Sequence, residues 1–181
     1  MLQDIIVMDN FFKDPDSIVE FANKQAFEKN DFEKTKSYWM GSRTNDINIS
    51  KDPRGYEISK EFFNNIFVNE YNLTSQWNVS TYFHRLGSLE KFNYKWIHVD
   101  GCECVYAGVV YLSKNPSENS GTFIIKKNEI IPIENIYNRL VLYKSDYLHS
   151  SMGGFGEGEN SRLTLTIFIN AISINLRKNN D

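Results

Sequence analysis

Two histidines, one aspartate and one arginine have the types and spacing of a metal site. His98 and Asp100 are two positions apart, so an extended chain would place both side chains on one face. His149 follows a second apolar run, and Arg162 opens the alternating segment 162–169. Two imidazoles and one carboxylate can occupy one face of an octahedral Fe(II), which leaves three positions for a chelating cosubstrate and dioxygen. Residues of these types could therefore form an iron site that binds a 2-oxo acid cosubstrate.

Each of these residues also has an ordinary structural interpretation. A His-x-Asp pair often arises by chance at a strand end, and His149 by itself is compatible with a half-buried histidine. Arg162 taken alone could be an arginine of an edge strand in solvent. The combination favours a metal pocket, because a buried arginine needs an anionic partner and a cosubstrate carboxylate supplies one. Thr164 shares the strand face of Arg162, so a guanidinium and a hydroxyl could bind the same carboxylate.

The composition is that of a globular protein. With 181 residues, of which 41% are hydrophobic, the chain can bury one core, and we expect a single domain over residues 1–181. The formal charge of −3 and the lack of long runs of like charge argue against nucleic-acid or anionic-membrane partners. No apolar run approaches the roughly 20 residues that span a bilayer, and the first residues do not resemble a signal peptide. These features predict a cytoplasmic protein.

The hydrophobic periodicity predicts helices first and strands afterwards. In chain order, the predicted elements are a strand at 2–8, a helix from Asp16 or Ser17 to Phe27, a helix at 57–69, and strands at 77–86, 95–100, 104–113, 121–126, 139–143 and 162–174. The absence of a βαβ rhythm predicts an α+β, mainly β, sandwich or barrel. We expect a helical part over about 1–75 and a β core over about 76–175.

The chain resembles the Fe(II)- and 2-oxoglutarate-dependent dioxygenase superfamily, and within it the prolyl-4-hydroxylase-like branch. The segments that carry the resemblance are Ile5–Pro15, Trp96–Asp100, Gly108–Ser113, Ser120–Phe123, Asn138–Tyr143 with His149 beyond it, and Arg162–Thr164. Together they cover most of residues 76–172 and, more loosely, residues 5–70. The resemblance implies a double-stranded β-helix, which is a jelly-roll or cupin-like barrel, with the N-terminal helices packed outside.

The resemblance also implies roles for individual residues. The implied iron ligands are His98, Asp100 and His149. Arg162 would pair with the distal carboxylate of 2-oxoglutarate, Tyr111 would hydrogen-bond the same carboxylate, and Thr164 is a further candidate. The implied reaction is the hydroxylation of a C–H bond in a peptidyl residue, an amino acid or another small substrate. It would consume dioxygen and convert 2-oxoglutarate to succinate and CO2, with ascorbate as an additional candidate cofactor.

Some features do not match the family pattern. The family's tyrosine shortly before the His-x-Asp pair has no counterpart at the right spacing, so the roles of Tyr82 and Tyr94 stay open. Arg43 and Trp39 lie in the polar segment 30–55, which could fold over the mouth of the barrel. A contact with substrate is one hypothesis for these two residues, and a solvated loop is the other.

Two further interpretations of the sequence are a zinc site and a metal-binding protein without catalytic activity. Cys102 and Cys104 continue the even-numbered parity of His98 and Asp100, which invites a mixed zinc site. Same-face neighbours on a strand are roughly 7 Å apart, so four in a row cannot reach one ion without a sharp turn. We therefore interpret the cysteines as small strand residues. A non-catalytic metal-binding jelly-roll module and a zinc-dependent cupin-like hydrolase remain the alternative functions, although the placement of Arg162 argues against the hydrolase.

Overall fold

The computed structural model describes residues 3–30, 39–68, 74–90, 92–100 and 104–175. The helices within these ranges are α1, Pro15–Asn23, and α2, Pro53–Phe63, which continues as a π-helical turn, Asn64–Val68. The strands are β1, Ile5–Met8; β2, Glu28–Lys29; β3, Ser42–Arg43; β4, Thr74–Leu86; β5, Tyr106–Tyr111; β6, Thr122–Lys126; β7, Glu129–Ile133; β8, Leu140–Lys144; β9, Leu148–Ser151; and β10, Arg162–Asn175. In the described part of the chain, no helix is long and apolar enough to cross a membrane.

Both helices begin where an aspartate precedes a proline. The side chain of Asp14 accepts a hydrogen bond from the amide of Ser17 at 3.2 Å, and Asp52 accepts one from the amide of Arg54 at 2.9 Å. The following proline has no amide hydrogen and a backbone angle that already suits a helix, so each pair fixes a helix start. The first helix consequently begins at Pro15, just before the predicted Asp16 or Ser17, and the second begins at Pro53 rather than at 57.

The described strands form two antiparallel sheets. The larger sheet has the order β1-β8-β5-β10-β4-β3-β2, and the smaller has the order β7-β6-β9. The longest ladder joins β4 to β10, with Arg162 opposite Leu86 and Thr164 opposite His84. β3 pairs with the other edge of β4, and β5 pairs with the other edge of β10. The positions of all four strands relative to one another are therefore fixed. That register decides which side chains share the inner face of the sheet.

The alternation along β10 separates a helix-covered face from an inner face. The residues of β10 that pack in the same core as α1 and α2 are Leu163, Leu165, Ile167 and Ile169. The residues of β10 that point to the other side are Arg162, Thr164, Thr166 and Phe168. The helices therefore lie outside the larger sheet, and its polar face is turned towards the smaller sheet.

A second apolar cluster joins the two sheets. It combines Ala107, Tyr111, Val141 and Tyr143 of the larger sheet with Ile124 and Ile133 of the smaller sheet. Since the inner faces pack on each other through these side chains, the sheets form two opposed layers. This arrangement, with the helices outside, is the one expected of the predicted jelly-roll barrel.

The predicted strand at 95–100 is wrong. The side chain of Asn93 accepts a hydrogen bond from the amide of Lys95 at 3.0 Å and starts a 3-10 turn, Tyr94–Trp96. Beyond that turn the chain makes an isolated antiparallel bridge between His98 and His149. Four strands were also missed, namely the two-residue strands β2 and β3 and the longer strands β7 and β9. β7 contains a proline, which weakens a strand prediction but is tolerated at the edge position that β7 occupies, and β9 has only four residues.

Candidate metal centre and cavity

A cavity of about 790 Å3 lies between the two sheets. Its walls come from the inner face of the larger sheet, from β9, and from the segment that carries His98. Five of the predicted site residues line it, namely His98, Asp100, His149, Arg162 and Thr164. Tyr111, the sixth, does not line it.

Three potential metal ligands converge at one side of the cavity. One ligand atom from each of His98, Asp100 and His149 can be chosen so that all three lie within 4.8 Å of one another. Nε2 of His98 is 3.6 Å from Oδ1 of Asp100, and Nε2 of His149 is 3.3 Å from Oδ2. The backbone amide of Asp100 donates to the carbonyl of Ser145 at 3.0 Å. This hydrogen bond connects Asp100 to the turn that precedes β9.

Backbone carbonyls set the orientation of both imidazole rings. Nδ1 of His98 donates to the carbonyl of Trp96 at 2.7 Å, and Nδ1 of His149 donates to the carbonyl of Tyr147 at 2.9 Å. With the proton on Nδ1, the lone pair of each Nε2 faces the carboxylate of Asp100. Three electron-rich groups at this spacing can hold a cation between them, and two nitrogens with one oxygen suit a divalent transition metal.

The two histidines differ in accessibility. The side chain of His98 is 57% exposed, whereas that of His149 is 7% exposed and that of Asp100 is 12% exposed. The carboxylate of Asp100 raises the pKa of His98, while burial lowers the pKa of His149. A ligand therefore reaches the cluster from the side of His98, and His149 forms its buried wall.

Arg162 lies at the first position of β10 and is only 2% exposed. Its Nε donates to the carbonyl of Ser120 at 2.6 Å, and an Nη donates to the carbonyl of Gly121 at 3.4 Å. Its guanidinium carbon is 5.5 Å from the centre of the Tyr111 ring. No acidic side chain of the described residues forms an ion pair with it. Arg162 is thus a buried cation that lines the cavity without a counter-ion, and burial lowers its pKa.

Tyr111 and Thr164 occupy different positions relative to the cavity. Thr164 lines the cavity, one inward position along β10 from Arg162. The hydroxyl of Tyr111, which is fully buried, donates to Oγ1 of Thr122 at 2.8 Å, and it is Thr122 that lines the cavity. Any effect of Tyr111 on a bound ligand would accordingly pass through Thr122 or through Arg162.

Tyr143 is a cavity residue that the sequence did not single out. It lies on β8 with its ring centre 4.6 Å from that of His149. Burial raises its pKa well above the ordinary value, and its hydroxyl has no hydrogen-bond partner among the described residues. Strand parity alone could have identified it, because Tyr143 alternates with Leu142, which packs in the helix-covered core.

Three of the four residues whose roles the sequence left open line the cavity. Tyr82 lines the cavity, with its ring centre 6.1 Å from that of Phe168, whereas Tyr94 is 70% exposed. Trp39 and Arg43 also line the cavity. Arg43 reaches the cavity from β3, which pairs with β4, and residues 31–38 of the predicted covering segment lie outside the described residues.

The cysteines do not complete a zinc site in the described part of the chain. Cys104 borders the cavity, but the cluster of potential ligands contains only the two histidines and the aspartate. Burial raises the pKa of Cys104 to about 11, which disfavours the thiolate that binds metals. Cys102 lies outside the described residues.

Neither a protein-family model nor a curated protein sequence matches this chain. Solved structures do match it. A prolyl hydroxylase from Trichoplax adhaerens, solved with a peptide of the hypoxia inducible factor oxygen degradation domain, is 14% identical, with 92% of this chain and 83% of that chain covered and a TM-score of 0.65. A prolyl-4-hydroxylase from Pseudomonas putida is 12% identical over 93% of both chains, with a TM-score of 0.61.

A third solved structure holds a metal and the expected cosubstrate. HygX from Streptomyces hygroscopicus, with nickel and 2-oxoglutarate bound, is 11% identical, with 92% of this chain and 82% of that chain covered and a TM-score of 0.60. At these identities the similarities show the fold. They confirm the predicted double-stranded β-helix and the structural resemblance to prolyl hydroxylases within the 2-oxoglutarate–Fe(II) oxygenases.

Proposed function

We propose that this protein is an Fe(II)- and 2-oxoglutarate-dependent dioxygenase that hydroxylates a C–H bond and releases succinate and CO2. The observation that carries the proposal is one cavity that contains three side chains able to bind a metal and a buried arginine that forms no ion pair with any described residue. A metal site alone would suit many activities. The addition of Arg162 points to a metal-bound cosubstrate with a second carboxylate. The fold shared with oxygenases, one of them solved with 2-oxoglutarate, supports this choice.

The residues present fit a divalent iron. Nε2 of His98, Nε2 of His149 and a carboxylate oxygen of Asp100 would hold it, and two neutral imidazoles with one carboxylate leave one net positive charge for an anionic cosubstrate. The bound iron would supply the activation of dioxygen, coupled to the decarboxylation of the cosubstrate. The carbonyls of Trp96 and Tyr147 would keep both rings in the orientation that ligation needs.

The remaining residues position the cosubstrate and exclude water. Arg162 would pair with the far carboxylate of 2-oxoglutarate through the guanidinium edge that its carbonyl contacts leave free, and the hydroxyl of Thr164 would add a hydrogen bond. The hydroxyl of Tyr111 would hold Thr122 at the same end of the cavity. Tyr143 would cover the buried side of His149 and place a neutral hydroxyl in the cavity.

The proposal includes three kinds of substrate. The Trichoplax enzyme was solved with a peptide, and HygX was also solved with hygromycin B. A peptidyl residue, a free amino acid and another small molecule are therefore all compatible with the proposed reaction. Dioxygen is a required co-reactant of that reaction, and ascorbate would act only to keep the iron reduced.

The test begins with ligand binding in the absence of oxygen. Addition of Fe(II) and 2-oxoglutarate to the metal-free protein should produce a visible charge-transfer absorption band. Asp100→Asn should abolish this band, because it removes the anionic ligand. Asp146→Asn is the matched control, since Asp146 is an exposed aspartate in the turn before β9 and makes the same change of charge outside the cluster.

Turnover then separates the proposal from its alternatives. In air, with a panel of amino acids, peptides and small metabolites, the protein should convert 2-oxoglutarate to succinate. An unchanged band in Asp100→Asn would contradict the ligand assignment. Tight metal binding without succinate would support a non-catalytic module, while zinc retained on purification and indifference to 2-oxoglutarate would support a hydrolase.

A further inference from the structure

Two nitrogen donors on the wall of the cavity lack hydrogen-bond partners among the described residues. Nε of Arg43 and Nε1 of Trp39 are both shielded from solvent, and within the described part of the chain neither donates to any atom. Both residues line the cavity that contains the candidate metal centre. A buried donor without an acceptor is unfavourable, so two of them at one site call for an acceptor, which is either an ordered water or a bound ligand.

Aromatic rings hold Arg43 in place without satisfying its N–H groups. Its guanidinium carbon lies 4.7 Å from the centre of the Trp39 ring, 5.0 Å from that of Tyr82 and 5.8 Å from that of Phe168. Stacking of this kind fixes the plane of a guanidinium and leaves its edge free to bind a planar acceptor. The rings therefore preorganise Arg43 rather than neutralise it.

Arg85 is a second stacked arginine of the same sheet, and its Nε likewise has no partner among the described residues. It lies one residue beyond His84 on β4, points to the opposite face, and stacks on Phe27 at 4.2 Å. Unlike Arg43, it also donates to Oδ1 of Asn23 at 2.7 Å. Arg43 has no side-chain hydrogen bond and no ion pair to any described residue. Arg43 thus differs from Arg85 at the terminal nitrogens, which find an acceptor in Asn23 for Arg85 and find none among the described residues for Arg43.

Arg43 carries its charge at neutral pH. Burial lowers its pKa to about 10, and the nearby groups Tyr82 and Asp100 act in the opposite direction. The carboxylate of Asp100 does not form an ion pair with it, and as a metal ligand it would be committed to the metal. The charge of Arg43 is therefore left for another anion.

The charges in the cavity, counted with a divalent metal and 2-oxoglutarate bound, also leave the charge of Arg43 for another anion. This count rests on the proposed function. A divalent metal and Arg162 would together balance the carboxylate of Asp100 and the two carboxylates of 2-oxoglutarate. Lys95 also lines the cavity, but it is exposed and solvated. The positive charge of the half-buried Arg43 then remains without a counter-ion among the described residues, and an unpaired charge that is partly removed from water is unfavourable.

We propose that Arg43 and Trp39 form a subsite for a carboxylate group of the substrate. The substrate is then a small carboxylic acid, such as an amino acid, and not an uncharged segment within a peptide chain. A carboxylate accepts a charge-assisted bond from the guanidinium edge and a second bond from the indole N–H. The cavity of about 790 Å3 is within the size range of small-molecule sites and has room for the cosubstrate beside a compact acid.

The test uses the indole N–H of Trp39 as a reporter. The protein, with its tryptophans labelled with 15N and loaded with diamagnetic Zn(II) and 2-oxoglutarate, is titrated with acetate, propionate and benzoate, each matched by its neutral amide. The chain has three tryptophans, and Trp39→Phe identifies the signal. At least one carboxylate should shift the Trp39 resonance saturably, and its amide should bind at least tenfold more weakly.

Variants assign the binding to Arg43. Arg43→Met should remove the saturable shift, Arg43→Lys should retain part of it because the charge is kept, and Arg85→Met should leave it unchanged. If Arg43→Met does not fold, Trp39→Phe provides the second variant. It keeps a stacked ring but lacks the N–H, and should weaken carboxylate binding about tenfold as measured by calorimetry.

Several results would overturn the proposal. These are a Trp39 signal that no carboxylate shifts, amides that bind as tightly as the acids, and an Arg43→Met protein that binds the acids normally. A tenfold loss of 2-oxoglutarate affinity in Arg43→Met would instead assign Arg43 to the cosubstrate. If Zn(II) or 2-oxoglutarate does not bind, the proposed function fails, and the same titration in metal-free Arg162→Met still tests the carboxylate subsite by itself.

Discussion

His98 and His149 exchange backbone hydrogen bonds: the amide of each donates to the carbonyl of the other, at 3.1 and 2.9 Å. This pair connects a segment outside the named strands to β9 at one point. The ring centres are 4.4 Å apart, so the backbone pair brings the two imidazoles together. The distance between two of the candidate ligands therefore depends on main-chain atoms, which a side-chain substitution leaves in place.

This relationship predicts that His98→Ala separates metal binding from stability. The His98 side chain is 57% exposed, and its truncation leaves the backbone pair intact, so the free energy of unfolding should change by no more than about 0.5 kcal/mol. Metal affinity should fall by at least roughly 100-fold, because one of three ligands is lost. Urea unfolding of the metal-free protein and calorimetric titration with a divalent metal measure the two effects. Metal affinity equal to that of the wild type would remove His98 from the ligand set.

The second prediction concerns Arg162 and 2-oxoglutarate. Arg162→Gln should weaken the binding of 2-oxoglutarate to the metal-loaded protein by roughly 100-fold, because a buried ion pair with its carboxylate is lost. Metal affinity should stay within about twofold, since Arg162 is not part of the ligand cluster. Arg139→Gln is the matched control. Arg139 pairs with Asp9 at 2.5 Å and is not among the residues that line this cavity. An unchanged affinity in Arg162→Gln would show that the far carboxylate binds elsewhere.

Tyr111 should contribute to the fold more than to cosubstrate affinity. Its hydroxyl already donates to Thr122 inside the protein, so Tyr111→Phe should destabilise by about 1 kcal/mol, the usual value for one buried hydrogen bond. The affinity for 2-oxoglutarate should fall by less than roughly fivefold, because Thr122 and not Tyr111 lines the cavity. A loss as large as that of Arg162→Gln would mean that the tyrosine hydroxyl contacts the cosubstrate directly.

His84 predicts a specific dependence of stability on pH. Burial, with a contribution from the charge of Arg43, lowers its pKa to about 3 from the ordinary 6.5. Between these values the unfolded chain binds the extra proton. The contribution of neutral His84 to the free energy of unfolding is therefore fully present above pH 6.5. It is lost as the pH falls towards 3, by up to about 1.4 kcal/mol per pH unit.

The variant His84→Gln isolates this effect. The difference in unfolding free energy between the wild type and His84→Gln should shift by about 2 kcal/mol between pH 7 and pH 5, with the wild type losing more. Urea unfolding curves at the two values provide the measurement, and groups common to both proteins cancel in the difference. A difference that does not depend on pH would show that His84 is not held neutral.

Residue types and their short-range spacing were enough to predict the candidate ligands and the two faces of β10. His98, Asp100, His149 and Arg162 are informative because their chemistry is local to each side chain and their order along the chain is visible. The alternation of segment 162–169 also shows that one face is apolar. It does not show which face meets the cavity, and on β5 the same alternation did not show that Tyr111 lies behind Thr122.

Only the tertiary structure decided how distant segments combine. The stretch 95–100 has the composition of a strand, but the cap at Asn93 starts a 3-10 turn at its beginning. Its only pairing with β9 is the single bridge between His98 and His149. Arg43 and Trp39 looked like loop residues until the pairing of β3 with β4 brought Arg43 beside His84 on the cavity wall. Strand pairing joins residues that are far apart in sequence, and no local pattern encodes which strands meet. The sequence by itself therefore determined the chemistry of the candidate metal site, and the paired sheets decided which other side chains surround it.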